Sequence, residues 1–230
     1  MPDEFRLRSL LQTMAENRRL AGCAIEVGLL EGFANAALFP AEIAAMANSA
    51  PRRLATFRAG RACARAALRE LGSPDAAIPI GPSGAPIWPP GFVGSIAHTS
   101  EIAAAILARG PQVRGLGLDL ETDEPFDDVA IVRMICRPEE LVTGCDPSDP
   151  ANLDRGKLLF VVKEAVYKLY WPLSNVFLEF HDLSVSFDES AAAFRAELVN
   201  PQRPALTGDR SISGECARAE GVFIALASLP

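Results

Sequence analysis

No stretch of this chain approaches the roughly 20 consecutive apolar residues that a bilayer-spanning helix needs. Yet 49% of its 230 residues are hydrophobic. The expectation is a protein off the membrane, with enough apolar material for one sizeable core or two small ones. The opening Met1-Pro2-Asp3-Glu4-Phe5-Arg6 carries no signal-peptide pattern. Cysteine is sparse: Cys23, Cys63, Cys136, Cys145 and Cys216 are odd in number and lack C-x-x-C spacing. They fit reduced thiols of a cytoplasmic protein better than disulfides or a zinc site. An overall basic excess is also missing. The net charge is −7, which argues against a nucleic-acid partner. Positive charge is local instead, because Arg52, Arg53, Arg58, Arg61, Arg65 and Arg69 fall in one segment.

That basic segment reads as a helix over residues 52–71, with Gly72 as its C-terminal glycine. Gly60 inside it is costly by about 1 kcal/mol relative to alanine, so it signals a close backbone approach. Residues 72–94 are rich in Gly and Pro and read as loop with short strands. Residues 102–107 and 116–120 read as buried strands, and 127–135 and 152–169 as helices. Pro172 is expected to end the second helix. Residues 182–187, 194–199 and 222–227 read as strands of a terminal meander. An order of helix, strands, strand, helix, strands appears roughly twice, with a seam near residues 110–115. The chain therefore reads as α+β.

The run Gly115-Leu116-Gly117-Leu118-Asp119-Leu120-Glu121 has strand periodicity. Leu118 and Leu120 then point into a core, and Asp119 and Glu121 share the opposite face. Two carboxylates on one rigid strand repel unless a cation lies between them. Mg²⁺ fits, since it takes one or two carboxylates and completes its shell with water and phosphate. Alone, such a pair is usually a solvated strand face.

A second segment, Leu158 to Leu169, is apolar except at Lys163, Glu164 and Lys168. Glu164 and Lys168 are four apart and share a helix face. They are either an ordinary stabilising pair, worth a few tenths of a kcal/mol, or a site. A helix this apolar has little solvated face to spare, and charges in it more often meet a metal, a phosphate or an ion partner.

With these residues in view, the chain resembles the 4′-phosphopantetheinyl transferases of the Sfp/EntD type. Four blocks match in order: Pro51 to Arg61; Gly84-Ala85-Pro86-Ile87-Trp88-Pro89 running to Gly94-Ser95-Ile96-Ala97-His98-Thr99; the Gly-x-Asp-x-Glu strand from Gly117 to Glu121; and Phe160 through Lys163-Glu164-Ala165 to Lys168. Each block alone is weak, and their order and spacing together are specific.

The resemblance implies two similar α/β halves related by a pseudo-two-fold, residues 1–112 and 113–230, with the ligand cleft between them. It implies transfer of the phosphopantetheine arm of coenzyme A to a serine of an acyl or peptidyl carrier protein. Adenosine 3′,5′-bisphosphate is released, and Mg²⁺ is the cofactor of a monomeric cytoplasmic enzyme. Asp119, Glu121 and Glu164 correspond to the metal carboxylates, and Asp119 also borders the coenzyme. Glu164 ligates the ion, deprotonates the serine through water, or does both. Lys163 and Lys168 correspond to phosphate lysines, and Lys168 with Glu164 forms the catalytic pair. Arg53 and Arg61 correspond to the 3′-phosphate grip, His98 to a phosphate donor, and Gly84, Ala85 and Pro86 to the coenzyme loop.

The chain departs from the family at Ala85, where lysine is common, and at Ala97, where serine or threonine is common. The rival reading is a non-catalytic coenzyme A or nucleotide-binding protein of the same fold. His181 and Trp171 match no motif and read as structural. The segment after Glu121, with Phe126, Val129, Ile131, Met134 and Ile135 edged by Arg133 and Arg137, either packs on the core or docks a carrier.

Overall fold

A computed structural model describes residues 2–81, 84–141 and 146–230, so Cys145 lies outside the described residues. The architecture is mixed α+β with two antiparallel sheets. The first sheet has the order β1 (Ala24–Leu29), β3 (Ile102–Arg109), β2 (Phe92–His98). The second runs β4 (Gly115–Thr122), β8 (Val222–Leu229), β7 (Ser211–Ala219), β6 (Ala193–Leu198), β5 (Leu183–Phe187). Its last four strands form the terminal meander, with β4 added antiparallel beside β8.

Helices α1 (Glu4–Asn17), α2 (Pro40–Ala45), α3 (Pro51–Glu70), α4 (Val129–Ile135) and α5 (Pro150–Ser174) complete the described elements of regular structure, apart from short 3₁₀ turns. Local chemistry sets their ends. Asp3 caps α1 by accepting from the Phe5 and Arg6 amides. Proline opens α3 and α5 at their first turns. Gly72 follows α3 at φ +76, as expected of a glycine in that place.

Three apolar layers hold the elements together. The face of α3 carrying Ala59, Cys63, Ala64 and Ala67 packs on Ala103, Ala105 and Leu107 of β3. The alternate β3 residues, Ile102, Ala104 and Ile106, join α1 and the Leu116, Leu118 and Leu120 side of β4 in a middle core. The third layer packs α5, through Leu159, Val162, Val166 and Leu169, on the outer face of the five-stranded sheet. β3 is buried on both faces, which is why it reads as an unbroken apolar run. The middle core draws residues from both sides of position 112.

Several expectations need correction. Helix α5 does not stop at Pro172; it runs to Ser174 and ends at Asn175, in the left-handed region at φ 54. In the last turn a proline removes only one intrahelical bond, to the carbonyl of Lys168. Helix α1, helix α2 and strands β1, β2 and β7 were not foreseen. Strand β2 hides behind Gly94, where a Cβ would sit 2.7 Å from the Ile106 carbonyl oxygen. The segment after Glu121 packs on the core through Phe126, Val132 and Ile135, while Met134 is exposed. Val132 and Ile135 are buried, and Phe126 meets the Phe160 ring edge-on. Arg137 is committed to Glu139 and to the His181 carbonyl. No helix among the described residues is long and apolar enough to cross a membrane.

Candidate active site

Leu118 and Leu120 point into the middle core, so Asp119 and Glu121 face the other way, toward α5. Contact there is close because β4 carries glycine. A Cβ on Gly117 would lie 1.9 Å from the Ala165 carbonyl oxygen of α5. Asp119 is buried at 6% exposure, and its Oδ1 accepts from Lys168 Nζ at 2.7 Å. Lys168 also donates to the Ile96 carbonyl of β2 at 3.3 Å. One lysine thus joins the facing edges of both sheets. Ser95 Oγ reinforces that seam by accepting from the Leu118 amide at 2.9 Å.

The Asp119 carboxyl is raised above the ordinary aspartate value, first by burial, against the pull of Lys168. Glu164 is raised as well, by burial and then by the Asp119 charge, with Glu121 adding to it and Lys168 opposing. The three carboxylates therefore share one field. Asp119 Oδ2 is buried with no hydrogen-bond partner among the described residues. Hard oxygen donors with one orphaned oxygen suit a divalent cation such as Mg²⁺. In the present arrangement, however, no three His, Cys, Asp or Glu side chains among the described residues are grouped to hold one. Lysines stand on two of the carboxylates: Lys168 on Asp119, and Lys157 Nζ 3.1 Å from Glu121 Oε2.

Beside this cluster opens a cavity of about 750 Å³. Helix α3 supplies Arg52, Arg53 and Arg61 to its wall, the loop supplies Gly84, Ala85 and Pro86, β2 supplies His98, and α5 supplies Glu164 and Lys168. Arg53 is exposed, whereas Arg61 is 6% exposed and already partly committed. Its Nε donates to the Ile78 carbonyl at 2.7 Å, and its guanidinium lies 4.2 Å from the Phe57 ring centroid. Burial pushes Arg61 down to about 10, which still leaves it cationic at neutral pH. Desolvation by the cavity wall, and then the Lys168 ammonium, hold the His98 imidazole below its ordinary value. Gly60 lets α3 approach β2, since a Cβ there would meet Ile96 Cγ2 at 2.7 Å. Gly84 sits at φ +84, where glycine is favoured.

Lys163 stands apart from the cavity. It is 1% exposed, and its Nζ donates to Glu140 at 2.7 Å and to the carbonyls of Ile135 and Phe180. A step of about 100° along α5 turns it from the Glu164 face into the protein. There it ties α5 to the end of α4 and to the turn before β5. Glu140 is satisfied in turn by the Arg137 and Val185 amides. The geometry makes Lys163 a buried ion-pair partner that lines an adjoining second cavity and not this one.

Aromatic walls escaped the sequence reading. Trp88, Tyr167 and Trp171 line the cavity. Tyr167 and Trp171 are four apart on α5, with ring centroids 6.1 Å apart. Their spacing from Glu164 and Lys168 was the available signal. The second cavity, of about 430 Å³, is lined by Met134, Lys163, Phe177, Leu178, Glu179 and Phe180, and Glu164 and Tyr167 border both. His181 borders the second cavity, and its Nε2 lies 3.2 Å from the Arg133 carbonyl.

Residues 41–108 match the sequence model of the 4′-phosphopantetheinyl transferase N-terminal domain. The chain is 36% identical over 191 residues to 4′-phosphopantetheinyl transferase Svp of Streptomyces mobaraensis, covering 81% of this chain and 76% of that protein. It is 38% identical over 170 residues to 4′-phosphopantetheinyl transferase Npt of Nocardia iowensis, covering 70% and 75%. Against 4′-phosphopantetheinyl transferase PptT of Mycobacterium tuberculosis it is 34% identical over 161 residues, 70% of each chain.

Proposed function

Because this chain belongs to the 4′-phosphopantetheinyl transferase family, we propose that it moves the phosphopantetheine arm of coenzyme A onto a serine of an acyl or peptidyl carrier protein. The observation that carries the reading is the juxtaposition of opposite charges at the cavity. Arginines of α3 line one part of it, and Lys168 and Glu164 line the wall that backs onto Asp119.

In this reading Arg53 and the free edge of Arg61 bind the 3′-phosphate, and the Gly84-Ala85-Pro86 backbone lines the adenine. His98 and Lys168 bind the diphosphate, Lys168 as a compact charge on a short tether. The second, largely apolar cavity takes the pantetheine arm, which places the scissile diphosphate near Glu164 and Tyr167. The serine oxygen attacks the phosphorus bearing the arm. The bond from that phosphorus to the bridging oxygen breaks, and adenosine 3′,5′-bisphosphate leaves. The serine proton passes through a water to Glu164, which acts as the general base. Asp119, Glu121 and Glu164 would hold Mg²⁺, which when bound neutralises charge on the phosphoryl oxygens. The two sheets with their helices are read as two related halves, residues 1–112 and 113–230, with the ligand between them. The enzyme is read as a cytoplasmic monomer, a setting that suits the free thiols of Cys23, Cys63, Cys136 and Cys216.

The test is mass spectrometry of a panel of apo carrier proteins incubated with coenzyme A and Mg²⁺. The reading requires the mass of one phosphopantetheine on one serine. Binding of coenzyme A with no modified carrier would favour the non-catalytic alternative.

Glu164→Gln separates catalysis from stability. Transfer is expected to fall at least about 100-fold, the usual size of a lost general base. The free protein is expected to gain stability at neutral pH. The native pKa is raised, so the stability linked to this group is present below the unfolded value and is lost as pH rises through the folded one. Glutamine removes that loss. The difference in Tm between variant and parent should vanish below about pH 4, near the ordinary glutamate value. A variant less stable than its parent at neutral pH would show that Glu164 is not held against its own charge.

A further inference from the structure

Lys157, Glu164 and Lys168 lie seven and eleven residues apart on α5, close to whole helical turns, so they share one side. That side meets Asp119 and Glu121 of β4. Each strand carboxylate already has a resident lysine, and Glu164 is paired with no lysine or arginine among the described residues. The two pairs differ in kind. Lys168 lines the cavity and is also bonded to the Ile96 carbonyl. Lys157 lines neither cavity, and its side chain is only 11% exposed. Its second neighbour is the face of Phe126, with Nζ 5.1 Å from the ring centroid.

An ammonium on a carboxylate competes with any metal for the same oxygen, and its charge repels the incoming ion. The ring of Phe126 offers the ammonium another seat through cation–π attraction, so Lys157 can release Glu121 without becoming an unpaired buried charge.

We propose that Lys157 is the displaceable counter-ion of this site: it holds Glu121 in the free protein, yields it to a divalent cation, and thereby sets the cation concentration at which the site fills. The inference rests on the reading of Asp119, Glu121 and Glu164 as the ligands. Lys157 itself touches no substrate. It acts through Glu121, as a positioning residue.

The test uses Mn²⁺ as a spin probe, titrated into the full chain saturated with coenzyme A in the absence of any carrier. Free Mn²⁺ is read by electron paramagnetic resonance. Lys157→Met is expected to tighten Mn²⁺ binding on the order of tenfold, because one opposing charge is gone. Phe126→Leu keeps the Glu121 pair but removes the alternative seat, and is expected to weaken binding a few-fold. Lys157→Gln serves as a second variant, with thermal melting of each to confirm folding. A merely structural ion pair would lower Tm in the lysine variants without tightening Mn²⁺. Unchanged or weaker Mn²⁺ binding in the folded lysine variants, with normal binding by the parent, overturns the counter-ion role and leaves the carboxylate site standing. Absence of saturable Mn²⁺ binding by the parent overturns both.

Discussion

Gly117→Ala is expected to be among the most damaging single-methyl changes in the molecule. The added Cβ would fall 1.9 Å from the Ala165 carbonyl oxygen and 2.9 Å from the Leu169 amide nitrogen. Both are backbone atoms of α5, so no side-chain rotation relieves the contact. The helix must retreat from β4, and its buried face, with Leu159, Val162, Val166 and Leu169, must retreat with it. Overpacking of ordinary cores costs about 1–3 kcal/mol, occasionally more. A backbone clash at a helix–strand contact should reach the upper end, about 3 kcal/mol. In a domain of this size each 1 kcal/mol shifts Tm by roughly 2–4 °C. A fall of about 6–12 °C in Tm is therefore expected. Activity should fall more than residual folding explains, because the same retreat separates Lys168 from Asp119. Denaturant unfolding alongside a carrier-modification assay checks both. A variant within about 1 kcal/mol of its parent, with full transfer, would mean that α5 yields freely at this point.

Gly117 also shows how far the sequence can be read. The alternation around it was legible, and it placed Leu118 and Leu120 in a core with Asp119 and Glu121 opposite, as found. The reason for glycine there was not, because it depends on a helix some 50 residues later in the chain. Gly60 could be read as a sign of close approach, but its partner, Ile96 of β2, could not. Strand β7 was missed for the same reason. Gly214 breaks its pattern, and the space a side chain would fill there is taken by the Phe194 ring. Helix α1 had a readable signal in the spacing of Leu7, Leu11 and Met14, all buried, and was overlooked.

At the site, the spacing of Glu164 and Lys168 correctly gave a shared face. Spacing alone could not tell that Lys163, one residue earlier, turns inward to Glu140. Nor could it show which carboxylates have resident lysines, since Lys157 and Glu121 meet only through tertiary packing. Motif position carries the kind of residue. The partner that occupies it is decided by which way each side chain turns once α5 is docked.

The pair of Lys168 and Asp119 offers the sharpest test of that docking. In Lys168→Met, Asp119 keeps its burial and loses its Oδ1 donor, while Oδ2 has no partner to begin with. Breaking a fully buried pair by removing one partner costs about 3–5 kcal/mol. The Lys168 side chain is 30% exposed, so about 2–3 kcal/mol is expected here. The loss should be greatest at neutral pH and shrink as pH falls, because protonation of Asp119 removes the unpaired charge. The direction follows from a carboxyl already raised by burial and now deprived of the cation that opposed it. Adding Asp119→Asn takes the charge away altogether. The double variant should therefore recover most of the lost stability, with a coupling on the order of 2 kcal/mol between the two positions. Transfer activity should not recover, since the proposed reading makes Lys168 a phosphate-binding cation and Asp119 a carboxylate of the site. The experiment is a full double-mutant cycle by denaturant unfolding at neutral and acidic pH, with carrier modification measured on all four proteins. Additive stability effects would show that the 2.7 Å contact does not govern the energetics of the site. Restored transfer in the double variant would remove Lys168 and Asp119 from the machinery and leave their pairing a purely architectural bond between β4 and α5.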